Sequence, residues 1–205
     1  MRIQVNPNRM ELLKLRKRLV LARRGHKLLK DKQEELMKHL LVLMEENQRL
    51  RREVEAKLRE GYTSMAWARG AIFKEMLEEA VLFPKQKVDL ELSTIPVMNL
   101  RLPKLKFEQR GEVDCYGFVE TSADLDRALS IISGALPSMI RLAEIERSVE
   151  LLADEIEKTR RRVNALEYIL IPNLEETIRY ISMKLSEMER ATTVRLMKVK
   201  ELVGR

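Results

Sequence analysis

The chain has 205 residues, of which 35% are charged and only 4% aromatic, with 7 Gly and 6 Pro. That balance excludes a compact, aromatic-rich core and reads as long helices with charged faces in an elongated molecule. A single cysteine, Cys115, excludes an intramolecular disulfide and fits a reducing compartment, and the net charge of +7 points to an acidic partner: nucleic acid, anionic lipid or an acidic protein surface.

The N-terminal MRIQVNPNRM carries no apolar run and reads as no signal peptide. Asn6-Pro7 predicts a helix start, with Asn6 as the N-cap and Pro7 in the first helical position. Asn8 with Glu11 offers an alternative capping box. From Leu12 to about Val54 the apolar residues step by three and four. The a-type positions are Leu12, Leu19, His26, Gln33, Leu40, Asn47 and Val54. The d-type positions are Leu15, Ala22, Leu29, Leu36, Leu43, Leu50 and Lys57. Ten of these fourteen are apolar. A stripe this narrow, sustained over six heptads, is a coiled-coil seam, because only a 3.5-residue repeat keeps one line of side chains facing a partner helix. The first helix is expected to run on to about Leu82, where Phe83-Pro84 stops it, a span of roughly 110 Å at 1.5 Å per residue. Within it, Gly61 to Ala71 is small and mixed, with Trp67 among glycines and alanines. Either something packs closely there or the helix is locally looser.

Between Phe83 and Tyr116 the period changes to two. Val88, Leu90 and Leu92 alternate with Asp89 and Glu91, and Leu100 and Leu102 flank Arg101. This predicts a small β-hairpin-like insert, with Pro84, Pro96 and Pro103 confining it to short or edge strands. Thr121 and Asp124 resemble a capping box, so a short helix is expected from Ser122, interrupted at Gly134 and Pro137. The longest uncharged run, Ala128 to Ile140, contains that interruption and is too short to span a bilayer.

A second stripe comes next: Leu142, Ile145, Val149, Leu152, Ile156, Thr159, Val163, Leu166 and Leu170. It slips by one residue beside Pro172 and resumes at Leu174, Ile178, Ile181, Leu185, Met188, Thr192, Arg195, Val199 and Leu202. A bend or straightened section is expected at the slip. Two stripes of similar length at opposite ends of the chain are most simply paired. The predicted fold is therefore mainly α: an elongated antiparallel two-helix coiled coil of N- and C-terminal helices with a small hairpin insert. In sequence terms, 1–82 is the first long helix, 83–121 the insert, and 122–205 a short helix plus the second long helix. A parallel homodimer of each helix is the competing arrangement.

Candidate chemistry is sparse. His26 and His39 are the only histidines, and thirteen helical residues, roughly 20 Å, separate them, too far to share a metal. His26, Gln33 and Asn47 fall on the seam, where polar residues fix register. Cys115 has no cluster around it, the eleven methionines read as gap-fillers, and no phosphate-binding, dinucleotide or nucleophile-elbow motif occurs. Basic residues concentrate at the two ends. Arg9 to Lys30 holds nine against one acid, Glu11, and Arg190, Arg195, Lys198, Lys200 and Arg205 mark the other end. Antiparallel pairing would bring them to one positive tip. A basic coiled-coil nucleic-acid-binding protein would account for that tip, although no base-reading motif is present.

Three segments carry a resemblance. RRRVNALEYILIPNLEETIRYI, from Arg160 to Ile181, resembles the hallmark segment of the D subunits of V/A-type rotary ATPases. NPNRMELLKLRKRLVLARRGHKLLKDKQEELM, from Asn6 to Met37, and YGFVETSADLDRAL, from Tyr116 to Leu129, look like the same family's opening signature and the start of its C-terminal half. The insert matches less closely: where a Met-Gly-Val-like step is expected, this chain has Met98, Asn99 and Leu100. The resemblance implies a non-catalytic rotor shaft with no cofactor and no metal. Its partners would be a hexamer of A and B subunits, a small F subunit, and the funnel-shaped subunit on the membrane ring. It would sit peripherally on the cytoplasmic side, neither inserting in the membrane nor binding nucleic acid. Contact with acidic loops of the hexamer is expected from Arg16, Arg23, Arg24, Lys27, Arg195 and Lys198. The seam is expected from Leu12, Leu15, Leu19, Leu29, Leu36 and Leu40 against Val163, Leu166, Ile178, Ile181 and Leu185. Gly61 to Ala71 and the helix opposite are a candidate surface for the F subunit.

Overall fold

The computed structural model describes residues 5–82, 85–113, 116–117 and 121–204. The predicted stop at Phe83-Pro84, Cys115 and the C-terminal Arg205 lie outside the described residues. In chain order the elements are α1 (Arg9–Ala71), α2 (Lys74–Leu82), β1 (Lys87–Val97), β2 (Leu100–Arg110), α3 (Ala123–Asn164), a π-helical turn (Ala165–Leu170) and α4 (Ile171–Val203). The fold is mainly α, with a long N-terminal helix, a long C-terminal helical run and a two-stranded antiparallel sheet between them.

The start of α1 takes Asn8 as its N-cap, as the second capping reading has it, but the Glu11 carboxylate accepts from Lys14 at 2.7 Å and does not close the expected box. The Asn8 side-chain oxygen accepts from the Met10 amide at 3.3 Å, and the Asn8 carbonyl accepts from Leu12 at 3.0 Å. Asn8 is thus the N-cap and Pro7 lies before the helix. The far end differs from expectation. α1 stops at Ala71, and α2 begins at Lys74, with the Leu77 amide donating to the Phe73 carbonyl at 3.1 Å. The break lets Leu77 fold onto Ala68 and Leu125, a buried cluster that a straight helix could not close.

Two further helical expectations are corrected. Gly134 and Pro137 do not interrupt a helix; both lie inside α3. A proline costs one backbone bond, and here the turns around it are held by packing, with Ala128, Ala135 and Ile145 buried. Nor does Thr121 form a capping box, because its hydroxyl donates to the Gly117 carbonyl instead.

Residue contacts divide the chain into two compact units, Met1–Met37 with Glu155–Arg205, and Lys38–Asp154. In the first unit the beginning of α1 runs antiparallel to the end of α3, the π-turn and α4. Ion pairs mark the direction: Arg9 with Glu189 at 2.5 Å, Arg23 with Glu175 at 2.6 Å, and Lys32 with Glu155 at 2.8 Å. The core between them holds Leu15, Leu174 and Ile181, flanked by Leu12, Leu19, Ala22, Leu170, Ile178 and Leu185. The predicted slip beside Pro172 takes the form of the π-turn. There the Ile171 amide donates to the Leu166 carbonyl, five residues back. A π-turn absorbs one extra residue, so the seam stays in phase on both sides, and Pro172 falls where the ladder is already rearranged.

In the second unit the rest of α1 runs antiparallel to the beginning of α3, as Arg141–Glu46 and Arg127–Glu60 show, both at 2.8 Å. Gly61 is buried, and a Cβ built there would meet Ile132 Cγ1 at 3.0 Å, whereas one on Gly70 would meet nothing within 4 Å. Close packing therefore explains the first glycine and not the second.

The strands are eleven residues each, longer than expected, and pair from Lys87↔Arg110 to Val97↔Leu100. The two-residue turn is Met98-Asn99, with Met98 at φ 52°. The Leu105 amide donates away from the ribbon, to Glu144 Oε2 on α3, at 2.8 Å. Leu92↔Leu105 is therefore a pair whose backbone groups face outward, and so are the pairs two and four residues on, Thr94↔Pro103 and Pro96↔Arg101. Both prolines occupy positions whose N–H the ladder never uses, which is why they permit long strands.

By length and composition alone, one stretch within Ala123–Val203 is apolar enough to cross a membrane. Its α3 part is engaged within the second unit. Ala128 and Ala135 are buried, and Ser133 Oγ accepts from Gln109 at 2.7 Å.

Candidate functional site

Among the described residues no cluster of His, Cys, Asp or Glu stands together as a metal site. His26 Nε2 lies 3.3 Å from Glu167 Oε2 across the first unit's seam, so it is engaged in pairing the two strands of the coil. Gln33 and Asn47 are half-buried on α1. What the molecule offers a partner is surface, and three areas stand out.

The first is the charged face of the first unit. Arg16, Arg24 and Lys27 are exposed on α1, while Arg23 is tied to Glu175. Arg195 and Lys198 are exposed on α4, and Lys198 Nζ lies 3.5 Å from Glu201. The six basic residues do not converge on one point. Arg23 is level with Glu175, and Arg195 lies twenty residues further along the same helical run, roughly 30 Å away. The Lys32–Glu155 pair is well enclosed, with side-chain exposures of 22% and 17%. The hydrogen bond from Lys32 holds the Glu155 carboxylate below the usual range, against the opposing effect of burial.

The second area is the end of α4. From Ser186 to Gly204 every residue is exposed, so the predicted stripe is uncovered at Met188, Thr192, Arg195, Val199 and Leu202. Helix α1 begins at Arg9, level with Glu189, and the residues just ahead of it, Pro7 and Asn8, line a pocket with Thr192 and Thr193. Val194, Leu196, Met197, Val199 and Leu202 are bare there, interleaved with Arg195, Lys198 and Lys200. A helix end that is both apolar and basic, and exposed along its length, is suited to a binding surface supplied by another chain.

The third area lies in the second unit, where Tyr62, Trp67 and Phe73 are 63%, 69% and 77% exposed. Tyr62 and Trp67 lie on α1, whose small residues Gly61, Ser64 and Ala68 are buried, and Phe73 lies in the break between α1 and α2.

Of the predicted seam residues, Leu15, Leu36, Val163 and Ile181 are buried. Leu12, Leu19, Leu29, Leu40, Leu166, Ile178 and Leu185 are half-buried, as a two-helix seam without a third layer leaves them. Thr177, fully enclosed, falls outside the predicted stripe. Its hydroxyl donates to the Asn173 carbonyl at 2.6 Å, which lets a threonine pass as a core residue. Glu144, which anchors the hairpin, gives no signal in the sequence either, since its partner Leu105 lies 39 residues away.

Residues 11–201 match the model of the family of ATP synthase D subunits. The chain is 52% identical over 205 residues to the V-type ATP synthase D subunit of Fusobacterium nucleatum, covering 98% of this chain and 97% of that one. It is 51% identical over 203 residues to the protein of the same description from Thermoanaerobacter sp. strain X514, again covering 98% and 97%. Against that of Clostridium novyi it is 49% identical over 207 residues, covering 98% and 96%.

Proposed function

The chain belongs to the family of ATP synthase D subunits, and from that premise we propose that it is the non-catalytic central-stalk subunit of a V-type ATP synthase. In this reading it couples ATP hydrolysis or synthesis in a hexamer of A and B subunits to ion movement through a membrane ring. It lies peripherally, on the cytoplasmic side, and also binds the F subunit and the funnel-shaped subunit on the ring. The observation that carries the reading is the near-full-length likeness to relatives described as V-type ATP synthase D subunits.

The physics of the fold is consistent with that role. Antiparallel pairing of two unlike helices presents a different face at every angle around the coil, as a subunit turning among three like neighbours requires. Intrachain ion pairs such as Arg23–Glu175 and Lys32–Glu155 bridge the helices, so torque on one passes to the other. The bare end of α4, with Arg195 and Lys198, and the α1 basics Arg16, Arg23, Arg24 and Lys27 are assigned to the hexamer. Charge pairing there would steer and orient without locking. The exposed aromatics Tyr62 and Trp67 are assigned to the F subunit.

Size-exclusion chromatography of the chain with the A–B hexamer of its own organism, with and without the F subunit, tests the reading. Co-elution at one chain per hexamer is the expected result. Separate elution even with the F subunit present, together with salt-sensitive binding to DNA, would replace it with a nucleic-acid role.

A further inference from the structure

The two edges of the hairpin are treated differently by the rest of the second unit. The β2 edge is covered: the Leu105 amide is taken by Glu144, and Gln109 is held by Ser133. The β1 edge is open. No described residue is hydrogen-bonded to its outward backbone groups, and Val88, Leu90 and Leu92 are 41%, 56% and 71% exposed. The register fixes which groups those are. Val88, Leu90, Leu92 and Thr94 share the outward parity of Leu105's partner, so these four alternate residues present an N–H and a carbonyl to whatever lies alongside. The row ends at Pro96, which has no N–H to offer.

An uncovered strand of this length, apolar on one face, is ordinarily a route to self-association. Here the opposite face argues against it. A second copy paired antiparallel about Leu90 would set Asp89 against Glu91 on both sides of the axis, and like charges directly opposite are destabilising. Glu91 meets Lys106 at 4.0 Å on the β2 side, and on the open side the same two carboxylates favour a strand that places basic residues beside them.

We infer that the outer edge of β1, from Val88 to Thr94, is a docking site for an extended strand of another protein chain, one that alternates apolar residues with Lys or Arg. The incoming strand adds to the sheet as a third member. Its backbone bonds the four outward positions, its apolar residues cover Val88, Leu90 and Leu92, and its basic residues face Asp89 and Glu91.

The native prolines supply the test. Pro96 and Pro103 show that the ribbon tolerates proline at outward positions, so Leu90→Pro should leave the hairpin intact while removing one donor and obstructing the edge. The probe is a fluorescein-labelled, end-capped nonapeptide alternating Lys and Val, titrated with the full-length chain and read by fluorescence anisotropy. The chain's own charge of +7 opposes non-specific capture of such a peptide. Saturable binding is expected, weakened about tenfold or more by Leu90→Pro, and by clearly less in Leu90→Thr, which keeps the N–H. A second variant, Asp89→Lys with Glu91→Lys, should lose the Lys–Val peptide and gain a Glu–Val one. Absence of saturable binding, equal binding by Leu90→Pro, or indifference to the charge reversal would each overturn the inference. Because the probe is a synthetic peptide, failure here leaves the central-stalk reading to its own chromatographic test.

Discussion

The two units of this chain pair the same kinds of helix by different means. In the first, large aliphatic side chains meet along a heptad seam, as Leu15, Leu174 and Ile181 do, and ion pairs bridge the flanks. In the second, Leu50, Val54, Ile145 and Leu152 are buried in the same way, but from Gly61 to Ala68 the helices are brought together by what is missing. Gly61, Ser64, Ala68, Ala128 and Ala135 are all buried, and the space they leave is filled by neighbours such as Ile132. A seam of large residues is specified by periodicity and can stand as two helices. A close approach of small residues leaves less apolar area to bury, and the second unit compensates with α2 and the hairpin. The seam is tolerant of polar members, including Thr159 and Thr177, whereas the small-residue contact is intolerant of added volume.

That contrast can be broken at its strongest points first. Leu174→Ala removes a fully enclosed side chain from the first unit's core, and a loss of about 3 kcal/mol is expected in urea unfolding monitored by far-UV circular dichroism. A change below about 1 kcal/mol would show that the seam is not what holds this unit. In the second unit the damaging change is an addition. Gly61→Leu drives a side chain into Ile132, at a cost of about 2 kcal/mol from overpacking, while Gly70→Leu should be tolerated because its surroundings are open. Equal melting temperatures for the two variants would remove close packing as the reason for Gly61.

Charge and polarity sharpen the comparison with smaller effects. The Glu155 carboxyl is held below its ordinary range by Lys32, so the unfolded chain takes up that proton more readily than the folded one. The pair's contribution is present above the ordinary carboxylate value, near pH 4.3, and is lost as pH falls through the lowered one. Glu155→Gln should therefore cost about 1 kcal/mol at pH 7 and progressively less as pH falls below the ordinary carboxylate value, as read from melting curves across that range. The smallest change runs the other way. Thr159 is fully buried, and its hydroxyl has no hydrogen-bond partner among the described residues, so Thr159→Val should raise stability by roughly 0.5–1 kcal/mol. A destabilised Thr159→Val chain would mean that the hydroxyl is satisfied in solution.

How much of this was legible varies with the kind of signal. The seam of the first unit could be read because a 3.5-residue repeat is a one-dimensional pattern, and Leu12, Leu15 and Leu19 carry it without reference to anything distant. The one-residue slip beside Pro172 was visible in the same way, though not its form as a π-turn. The hairpin was visible in the alternation at Val88, Leu90 and Leu92. The candidate surfaces were legible only as composition. Basic residues were apparent at both ends, yet Arg16 and Arg195 occupy separate stretches of the first unit, because α4 runs on past the level where α1 begins.

The sequence by itself determined that long helical stripes stand at both ends of the chain with a period-two insert between them, the antiparallel sense which that arrangement makes simplest, and the family to which the three signature segments belong. Each of these rests on local periodicity or on residue identity, which need no partner to be read. Tertiary structure alone decided where α1 breaks, why Pro137 does not end α3, which glycine is packed, and which edge of the hairpin is left open. Those outcomes turn on pairs such as Leu77 with Leu125, Gly61 with Ile132, and Leu105 with Glu144, residues far apart along the chain. Their energies exist only once the backbone has brought them together, so no pattern along the chain could announce them.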